Sequence, residues 1–329
     1  MTHILAHMHW LTDDFGIWQH TKGDQIHREM GYALDDAARG LIVFLRYNDE
    51  ARAKVCLDYL EHSQTAHGFV GFYDGDRKPL DSGSSDDAHA LAIWALAEAI
   101  AADFHTEQTR KILAATDTNA LITKGYTRTL AYLLLAYAAL GQQAPAKRLV
   151  TQLVNRFDAT TGWFEPMLTY ANAALPLALL KYVRAFNIQE PKLLSIIEQS
   201  IATLEDYCRL GVIPAPVGNR IWQKLGAVER DIYGQQPIDP GFTVLMLVEA
   251  FHVFKDQVYL AKATDWIRWF YGNNIYQTSL ISPLNACGDG LYALPRGVCH
   301  NKGAESTIMY LLALHAFKAA GGKARKVTQ

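Results

Sequence analysis

Apolar residues dominate six long segments of the chain, and these segments are apolar on too much of their circumference for helices that face water. They begin near residues 35, 86, 126, 170, 239 and 303. Between them lie segments with one apolar face, which is typical of helices with one side in solvent. This strict alternation predicts helical hairpins that close into a ring, with inner helices around a common axis and outer helices shielding them. Five outer segments are evident, and residues 1–10 would supply a sixth.

We therefore predict an all-α fold, an (α/α)6 toroid, in a single domain over residues 1–329. Two long insertions, residues 211–238 and 273–300, come directly before the last two inner segments and are rich in Gly, Pro, Asn and aromatic residues. Irregular segments of this length inside a compact domain are usually functional. We expect them to contain short β-hairpins and to contribute to a site.

The composition excludes several classes of function. The chain has 329 residues, 50% of them hydrophobic and 19% charged, with a formal net charge of −2. A nucleic-acid or membrane-surface binder would show a clustered basic excess, which this chain lacks. There is no run of 18 apolar residues and no secretory signal pattern at the amino terminus, so we expect a cytoplasmic protein. Four cysteines in so long a chain do not form a dense disulfide framework.

Every inner segment begins with a polar cluster, although charges are costly to bury unless they are paired or used. The clusters are Asp35/Asp36/Arg39, Asp86/Asp87/His89, Lys124/Tyr126/Arg128, Glu165/Thr169/Tyr170/Asn172, Gln235/Gln236/Asp239 and Asn301/Lys302/Glu305. In a toroid all six amino termini meet at one rim, so these side chains predict a ligand pocket there. The alternatives are that each acid caps its own helix or forms a local ion pair.

Paired carboxylates at such a rim suit glycoside chemistry, in which one carboxyl holds a proton and the other is ionised. Crowded acids in a poorly hydrated pocket raise the pKa of at least one of them, as a general acid requires. Our catalytic candidates are Asp36 as base or nucleophile and Asp87 or Glu305 as acid. No cofactor is needed for this chemistry.

Aromatic residues beside the rim acids point to a sugar, whose C–H face stacks on flat rings while its hydroxyls bind polar groups. Trp163 and Trp222 are the candidates for stacking. The full set of expected binding residues is His20, Asp35, Arg39, His89, Trp163, Glu165, Tyr170, Asn172, Trp222, Gln236, Asp239, Asp289 and Asn301.

A zinc site is the weaker alternative for Cys287, Cys299 and His300. Two cysteines and a histidine are common zinc ligands. Their spacing is irregular and no fourth ligand is evident, so we predict no metal centre.

Seven stretches of the chain, taken in order, resemble the motifs of a bacterial and archaeal family of (α/α)6-toroid, glycoside-hydrolase-like proteins. The stretches are LTDDFGIWQH, GYALDDAARGL, SSDDAHALAIWAL, WFEPMLTYANAALPLALL, PVGN, QQPID and NKGAEST, and they span about residues 11 to 318. Members of that family occur alone or as a carboxy-terminal module behind a glycosyltransferase domain. The resemblance implies the toroid fold, a carbohydrate-active and hydrolase-like protein, an oligosaccharide substrate such as a mannoside or glucoside, and a glycosyltransferase as a possible partner.

The chain also departs from the family motifs at six rim positions. The family has Asn, Arg, Asp, Asp, Asp and Gln where this chain has Ala37, Leu91, Pro166, Ala171, Gly234 and Lys302. These departures imply either a different sugar specificity or a partial loss of the catalytic apparatus, and the retention of Asp36, Asp87 and Glu305 favours the first. Two alternatives to a glycosidase stay open. One is a sugar epimerase or isomerase, which would require two histidines facing each other across the pocket, with His20 and His89 as the candidates. The other is a non-catalytic glycan-binding partner of a glycosyltransferase.

Overall fold

The computed structural model describes residues 3–80 and 83–323, and helices dominate both ranges. The helices are α1 (Ala6–Leu11), α2 (Leu34–Arg46), α3 (Glu50–His62), α4 (Asp86–Ala101), α5 (Thr106–Ala114), α6 (Thr118–Lys124), α7 (Thr127–Ala139), α8 (Gln143–Val154), α9 (Ala174–Ala185), α10 (Pro191–Tyr207), α11 (Ile238–Phe254), α12 (Gln257–Trp269) and α13 (Ala304–Ala319).

Six of these helices form a closed inner ring. In ring order they are α2, α4, α7, α9, α11 and α13, and α13 packs back against α2. Around them, α3, α5, α8, α10 and α12 pack on α2, α4, α7, α9 and α11, respectively. The short α1 packs on α13 and supplies the sixth outer helix. The predicted (α/α)6 toroid is confirmed.

The inner helices are apolar on nearly all sides because each is covered by the outer layer, by its ring neighbours and by the ring axis. In α13, for example, every residue from Ser306 to Leu314 is buried. Five inner helices begin within one residue of the predicted position. The exception is α9, which begins at Ala174 because Ala171 has a φ of +47° that a right-handed helix does not accommodate.

All inner helices run in the same direction, since an outer helix returns the chain after each one. At the amino-terminal end, Arg39 of α2 forms an ion pair with Glu305 of α13, with 2.9 Å between nitrogen and oxygen. At the opposite end, Arg46 of α2 pairs with Glu98 of α4. The six inner amino termini therefore share one rim.

The described residues form five antiparallel pairs of two-residue strands, which link neighbouring loops. The pairs are β1 (Thr21–Lys22) with β2 (Gln25–Ile26), β3 (Tyr32–Ala33) with β6 (Phe72–Tyr73), β4 (Gln64–Thr65) with β5 (Gly68–Phe69), β7 (Met167–Leu168) with β10 (Gln223–Lys224), and β8 (Arg209–Leu210) with β9 (Ile213–Pro214). The expected hairpin thus forms at the start of the first insertion, where β8 pairs with β9. The second insertion contains isolated bridges such as Ile281 with Cys287. Within residues 3–80 and 83–323, no helix is long and apolar enough to cross a membrane.

Candidate active site

The described residues form two cavities at the amino-terminal rim, whereas the sequence predicted one common mouth. We call the first the acidic cavity; its volume is about 280 Å³. Four carboxylates, several amides and the start of α13 line it. Its lining residues are Gln19, His20, Asp35, Asp36, Gln236, Asp289, Tyr292, Arg296, Asn301, Gly303, Glu305 and Ser306.

The second, which we call the polar cavity, is larger, with a volume of about 580 Å³. It lies over the starts of α4 and α7. Its lining residues are Ser84, Ser85, Asp86, Asp87, Lys124, Gly125, Tyr126, Thr127, Arg128, Glu165 and Tyr170. Two of the three catalytic candidates, Asp36 and Glu305, therefore lie in one cavity and the third, Asp87, lies in the other.

The rim acids do not cap their own helices. α4 is capped by Ser85, whose Oγ accepts a hydrogen bond from the Ala88 nitrogen at 3.1 Å. The residues at the amino-terminal caps of α2, α11 and α13 make no side-chain capping bond. The capping alternative is therefore wrong for Asp36, Asp239 and Glu305, so their burial requires another explanation.

That explanation is the guanidinium of Arg39, which holds three carboxylates together. Its Nη2 lies 2.6 Å from Asp35 and 3.4 Å from Asp36, and its Nη1 lies 2.9 Å from Glu305. The local ion pair is thus part of a larger arrangement that reaches across to a second helix. Arg39 itself is 1% exposed. It stands behind the cavity wall, so the expectation that it binds sugar hydroxyls directly is corrected.

Asp36 and Glu305 differ in environment although they share this guanidinium. Burial raises the pKa of Asp36 well above its ordinary value, and the neighbouring charge of Asp35 adds to the rise, which outweighs the opposing effect of Arg39. The Glu305 side chain is 35% exposed to the cavity. The site thus offers one carboxyl, Asp36, whose protonated form is favoured by burial, and a second, Glu305, that contacts Arg39 and opens to the cavity.

Asp239 lies beneath the rim and is buried together with Asn172. The backbone nitrogen and the side-chain Nδ2 of Asn172 both lie 3.4 Å from Asp239 Oδ1. Burial raises the pKa of Asp239 to about 7, an effect that the Asn172 contacts offset in part. Neither residue lines the acidic or the polar cavity. The sequence suggested that both bind sugar hydroxyls directly, but in the structure they support the rim from below.

Replacing Asp239 by asparagine should make the protein's stability less sensitive to pH. The unfolded carboxyl titrates near pH 4 and the folded one near 7, so the folded state binds more protons between these values. The free energy of unfolding of the native chain therefore falls as the pH rises through this window. Relative to the native chain, the variant should gain on the order of 2–3 kcal/mol between pH 5 and pH 8. Urea unfolding of both proteins at both pH values measures this gain. If the free energies of unfolding of the variant and the native chain differed by the same amount at pH 5 and pH 8, the raised pKa of Asp239 would be contradicted.

In the polar cavity, Asp87 accepts hydrogen bonds on both carboxylate oxygens. Tyr170 donates through its hydroxyl to Oδ2, and Thr129 donates through Oγ1 to Oδ1 at 2.5 Å. Arg128 binds Glu165 at 3.0 Å and donates from Nε to the Tyr170 carbonyl at 2.6 Å. The hydrogen bonds from Thr129 and Tyr170 hold the Asp87 carboxylate beside α7 and the loop before α9. Asp87 therefore does not share a cavity with Asp36.

The structure corrects two of the expected binding residues. The Trp163 ring is fully buried in the hydrophobic core and packs edge-on against Phe164, so it has no face free for a sugar. The His89 ring packs on Gly68, and its Nε2 lies 3.0 Å from the Phe69 carbonyl, outside both cavities. Trp222 is half-buried, with its ring centroid 6.3 Å from that of Tyr170.

The remaining expected binding residues of the acidic cavity come from distant loops. His20, Gln236, Asp289 and Asn301 all line it. Asp289 Oδ1 accepts a hydrogen bond from the Gly303 nitrogen at 2.6 Å. A Cβ on Gly303 would lie 3.1 Å from that oxygen and 3.4 Å from the His20 ring. Glycine at this position therefore keeps the start of α13 open to the cavity.

Sequence reasoning missed several lining residues, of which Arg296 is the clearest. Arg296 sits over the Tyr292 ring, with its Cζ 3.7 Å from the ring centroid, and its Nη2 lies 3.4 Å from Cys299 Sγ. It belongs to an irregular loop with no hydrophobic period, so no pattern could place it. Gln19, Ser84, Ser85 and Ser306 lie in the motif stretches LTDDFGIWQH, SSDDAHALAIWAL and NKGAEST, and Tyr292 lies in the second insertion. Another lining residue that the sequence did not single out is Thr127. Its one signal was proximity in sequence to a rim cluster.

The three residues considered for zinc do not form a metal-binding group. Cys287 and Cys299 are both buried as free thiols, and His300 is exposed. Cys287 Sγ lies 3.4 Å from the Gly288 carbonyl, and Cys299 contacts Arg296. In the part of the chain that the structure describes, no group of three or more His, Cys, Asp or Glu residues is arranged to hold a metal ion.

Comparison with known proteins places the fold among carbohydrate enzymes of solved structure. A sugar epimerase from a ruminal bacterium superposes with a TM-score of 0.72 at 13% identity, covering 97% of this chain and 96% of that one. A cellobiose 2-epimerase from Spirochaeta thermophila gives 0.71 at 16% identity over 97% and 94%. A glycosidase in complex with glucose gives 0.63 at 13% identity over 96% and 95%.

No family model matches the chain, and no curated protein matches it either. The motif resemblance therefore stays a prediction. At these identities the solved structures establish the architecture, and the chain has the toroid fold that sugar epimerases and glycosidases share.

Proposed function

We propose that this protein is a carbohydrate-active enzyme, and specifically a glycoside hydrolase whose chemistry takes place in the acidic cavity. One observation carries the proposal: Asp36 and Glu305 reach the same buried guanidinium, and burial raises the pKa of Asp36. Glycosidases place their two carboxyl groups about 5 to 9.5 Å apart. Two groups that contact one guanidinium are close enough to act on one glycosidic bond.

The roles of the two groups follow from their surroundings. Asp36, which retains its proton, donates it to the glycosidic oxygen, and the bond from that oxygen to the anomeric carbon breaks. Glu305 either removes a proton from the water that adds to the anomeric carbon or attacks that carbon itself. This reverses the roles that the sequence alone suggested for Asp36. Asp87, in the neighbouring cavity, would bind substrate hydroxyls.

A sugar epimerase or isomerase is the second candidate, because solved structures of this architecture include a cellobiose 2-epimerase and a D-mannose isomerase. Proton transfer by two facing histidines would need a second histidine beside His20. Among the described residues that line the acidic cavity, His20 is the single histidine. This observation favours carboxylate chemistry and therefore hydrolysis.

One experiment separates the candidates. The protein is incubated with aryl glycosides, with gluco- and manno-oligosaccharides and with free monosaccharides, and products are followed by NMR of the anomeric protons. Release of a reducing sugar supports the hydrolase. Interconversion of free sugars without bond cleavage would establish the epimerase instead. Saturable binding without any product would indicate the glycan-binding partner of a glycosyltransferase.

A further inference from the structure

The polar cavity is larger than the acidic cavity, and the hydrolysis proposed above uses only its Asp87. It adjoins the acidic cavity, because α2 and α4 are neighbours in the inner ring. A ligand lying across the rim would therefore enter both.

The lining of the polar cavity presents an exposed aromatic ring on a fixed turn. Tyr126 lines this cavity and is 62% exposed, so its ring is accessible to a ligand. The preceding Gly125 has a φ of +69° and ends α6, and its carbonyl accepts a hydrogen bond from Arg156 at 2.7 Å. These contacts fix the backbone from which the Tyr126 side chain projects, so the backbone loses little entropy when a ligand binds.

The charges of the polar cavity favour an uncharged ligand. Lys124 lies 2.8 Å from Asp86, and Arg128 lies 3.0 Å from Glu165. Both cations among the described lining residues are therefore already paired with a carboxylate, which disfavours a phosphate or a sugar acid. The same groups, together with the hydroxyls of Ser85 and Thr127, can bind the hydroxyls of a neutral sugar.

We propose that the polar cavity is a second sugar subsite, in which Tyr126 stacks on the unit next to the one held in the acidic cavity. The substrate is then a neutral oligosaccharide of at least two units rather than a monosaccharide derivative. This inference rests on the proposed glycosidase function for its kinetic test, and the binding test described below is independent of it.

The kinetic test compares kcat/KM for a disaccharide with kcat/KM for the single-sugar aryl glycoside of the same sugar. We divide the disaccharide value by the aryl glycoside value. In Tyr126→Ala this ratio should fall about 10-fold, because the loss of one stacking contact weakens transition-state binding by about that factor. Tyr126→Phe keeps the ring and should restore the native ratio. The matched control is Trp10→Ala, which removes an aromatic ring that is 42% exposed on α1, outside both cavities. This variant should keep the native ratio.

The two proposals fail in distinguishable ways. If the native protein hydrolyses glycosides and Tyr126→Ala leaves the ratio unchanged, the subsite is wrong and the hydrolase stands. If no glycoside is hydrolysed, isothermal titration with the same disaccharide decides. Binding that weakens about 10-fold in Tyr126→Ala supports the subsite without the hydrolase, and absence of disaccharide binding, or binding that Tyr126→Ala leaves unchanged, overturns the subsite.

Discussion

Glu305→Gln is expected to lower kcat for glycoside hydrolysis by about 10²–10⁴-fold, because glutamine can neither accept a proton from water nor attack the anomeric carbon. KM should change little, since the amide keeps the shape of the side chain and one oxygen that can accept hydrogen bonds. The measurement is steady-state hydrolysis of whichever aryl glycoside the native protein cleaves best, with unfolding temperature as a check that the variant is folded.

The matched control for this substitution is Glu61→Gln, which makes the same chemical change on the outer surface, where Glu61 pairs with Lys111. It should keep native kcat and KM. Asp87→Asn provides the contrast within the rim and should act mainly on KM. If Glu305→Gln retained more than a tenth of native kcat while Asp87→Asn abolished turnover, the chemistry would belong to the polar cavity and the proposed roles would be wrong.

The role of Asp36 has its own signature in the pH profile. A general acid works while it holds its proton, so kcat/KM should decline on the alkaline side as the pH rises through the raised pKa of Asp36. Asp36→Asn should lower the rate and remove this decline. The profile of Glu305→Gln should keep it. If kcat/KM of Asp36→Asn still declined at alkaline pH, the general acid would be another group.

The ring could be predicted because its signal is distributed over the whole chain. Six apolar segments alternate with amphipathic ones. Few architectures other than a ring of helical hairpins bury an inner helix on all sides. The alternation also predicted a sixth outer helix within residues 1–10. The structure has the six-residue α1 there, and it packs on α13. The hydrophobic period is a property of each segment by itself, so distant contacts were not needed to identify it.

The division of the rim into two cavities could not be predicted, because it depends on contacts between distant residues. Asp36 and Asp87 each follow another aspartate in the first turn of neighbouring helices. What separates them is that one lies beside Arg39 and the other accepts hydrogen bonds from Thr129 and Tyr170. Trp163 shows the same limit: a tryptophan beside a rim cluster has no sequence feature that distinguishes a core ring from an exposed one.

Arg39 is the residue whose loss should cost the most stability. Its guanidinium is buried and faces Asp35, Asp36 and Glu305, so Arg39→Met leaves these carboxyl groups without their counter-charge. Removing one partner of a buried ion pair typically costs about 3–5 kcal/mol when the remaining charge is desolvated. Here Asp36 is buried, whereas Asp35 and Glu305 are about one-third exposed and water can solvate them, so a cost at the lower end, about 3 kcal/mol, applies. We expect a loss of this size in the free energy of unfolding at pH 8, measured by urea denaturation.

The pH dependence and a control on the same helix identify the cause. Arg46→Met removes the pair with Glu98 at the other end of α2, where the arginine side chain is 46% exposed, and should cost less than about 1 kcal/mol. The deficit of Arg39→Met should shrink as the pH falls, since protonation neutralises the carboxyl groups that arginine no longer balances. A second substitution, Glu305→Gln, added to Arg39→Met should recover part of the loss, whereas independent sites would give additive losses. A deficit that is independent of pH and additive would mean that Arg39 contributes packing alone, and the acidic cavity would lose the group that holds its two catalytic carboxyls together.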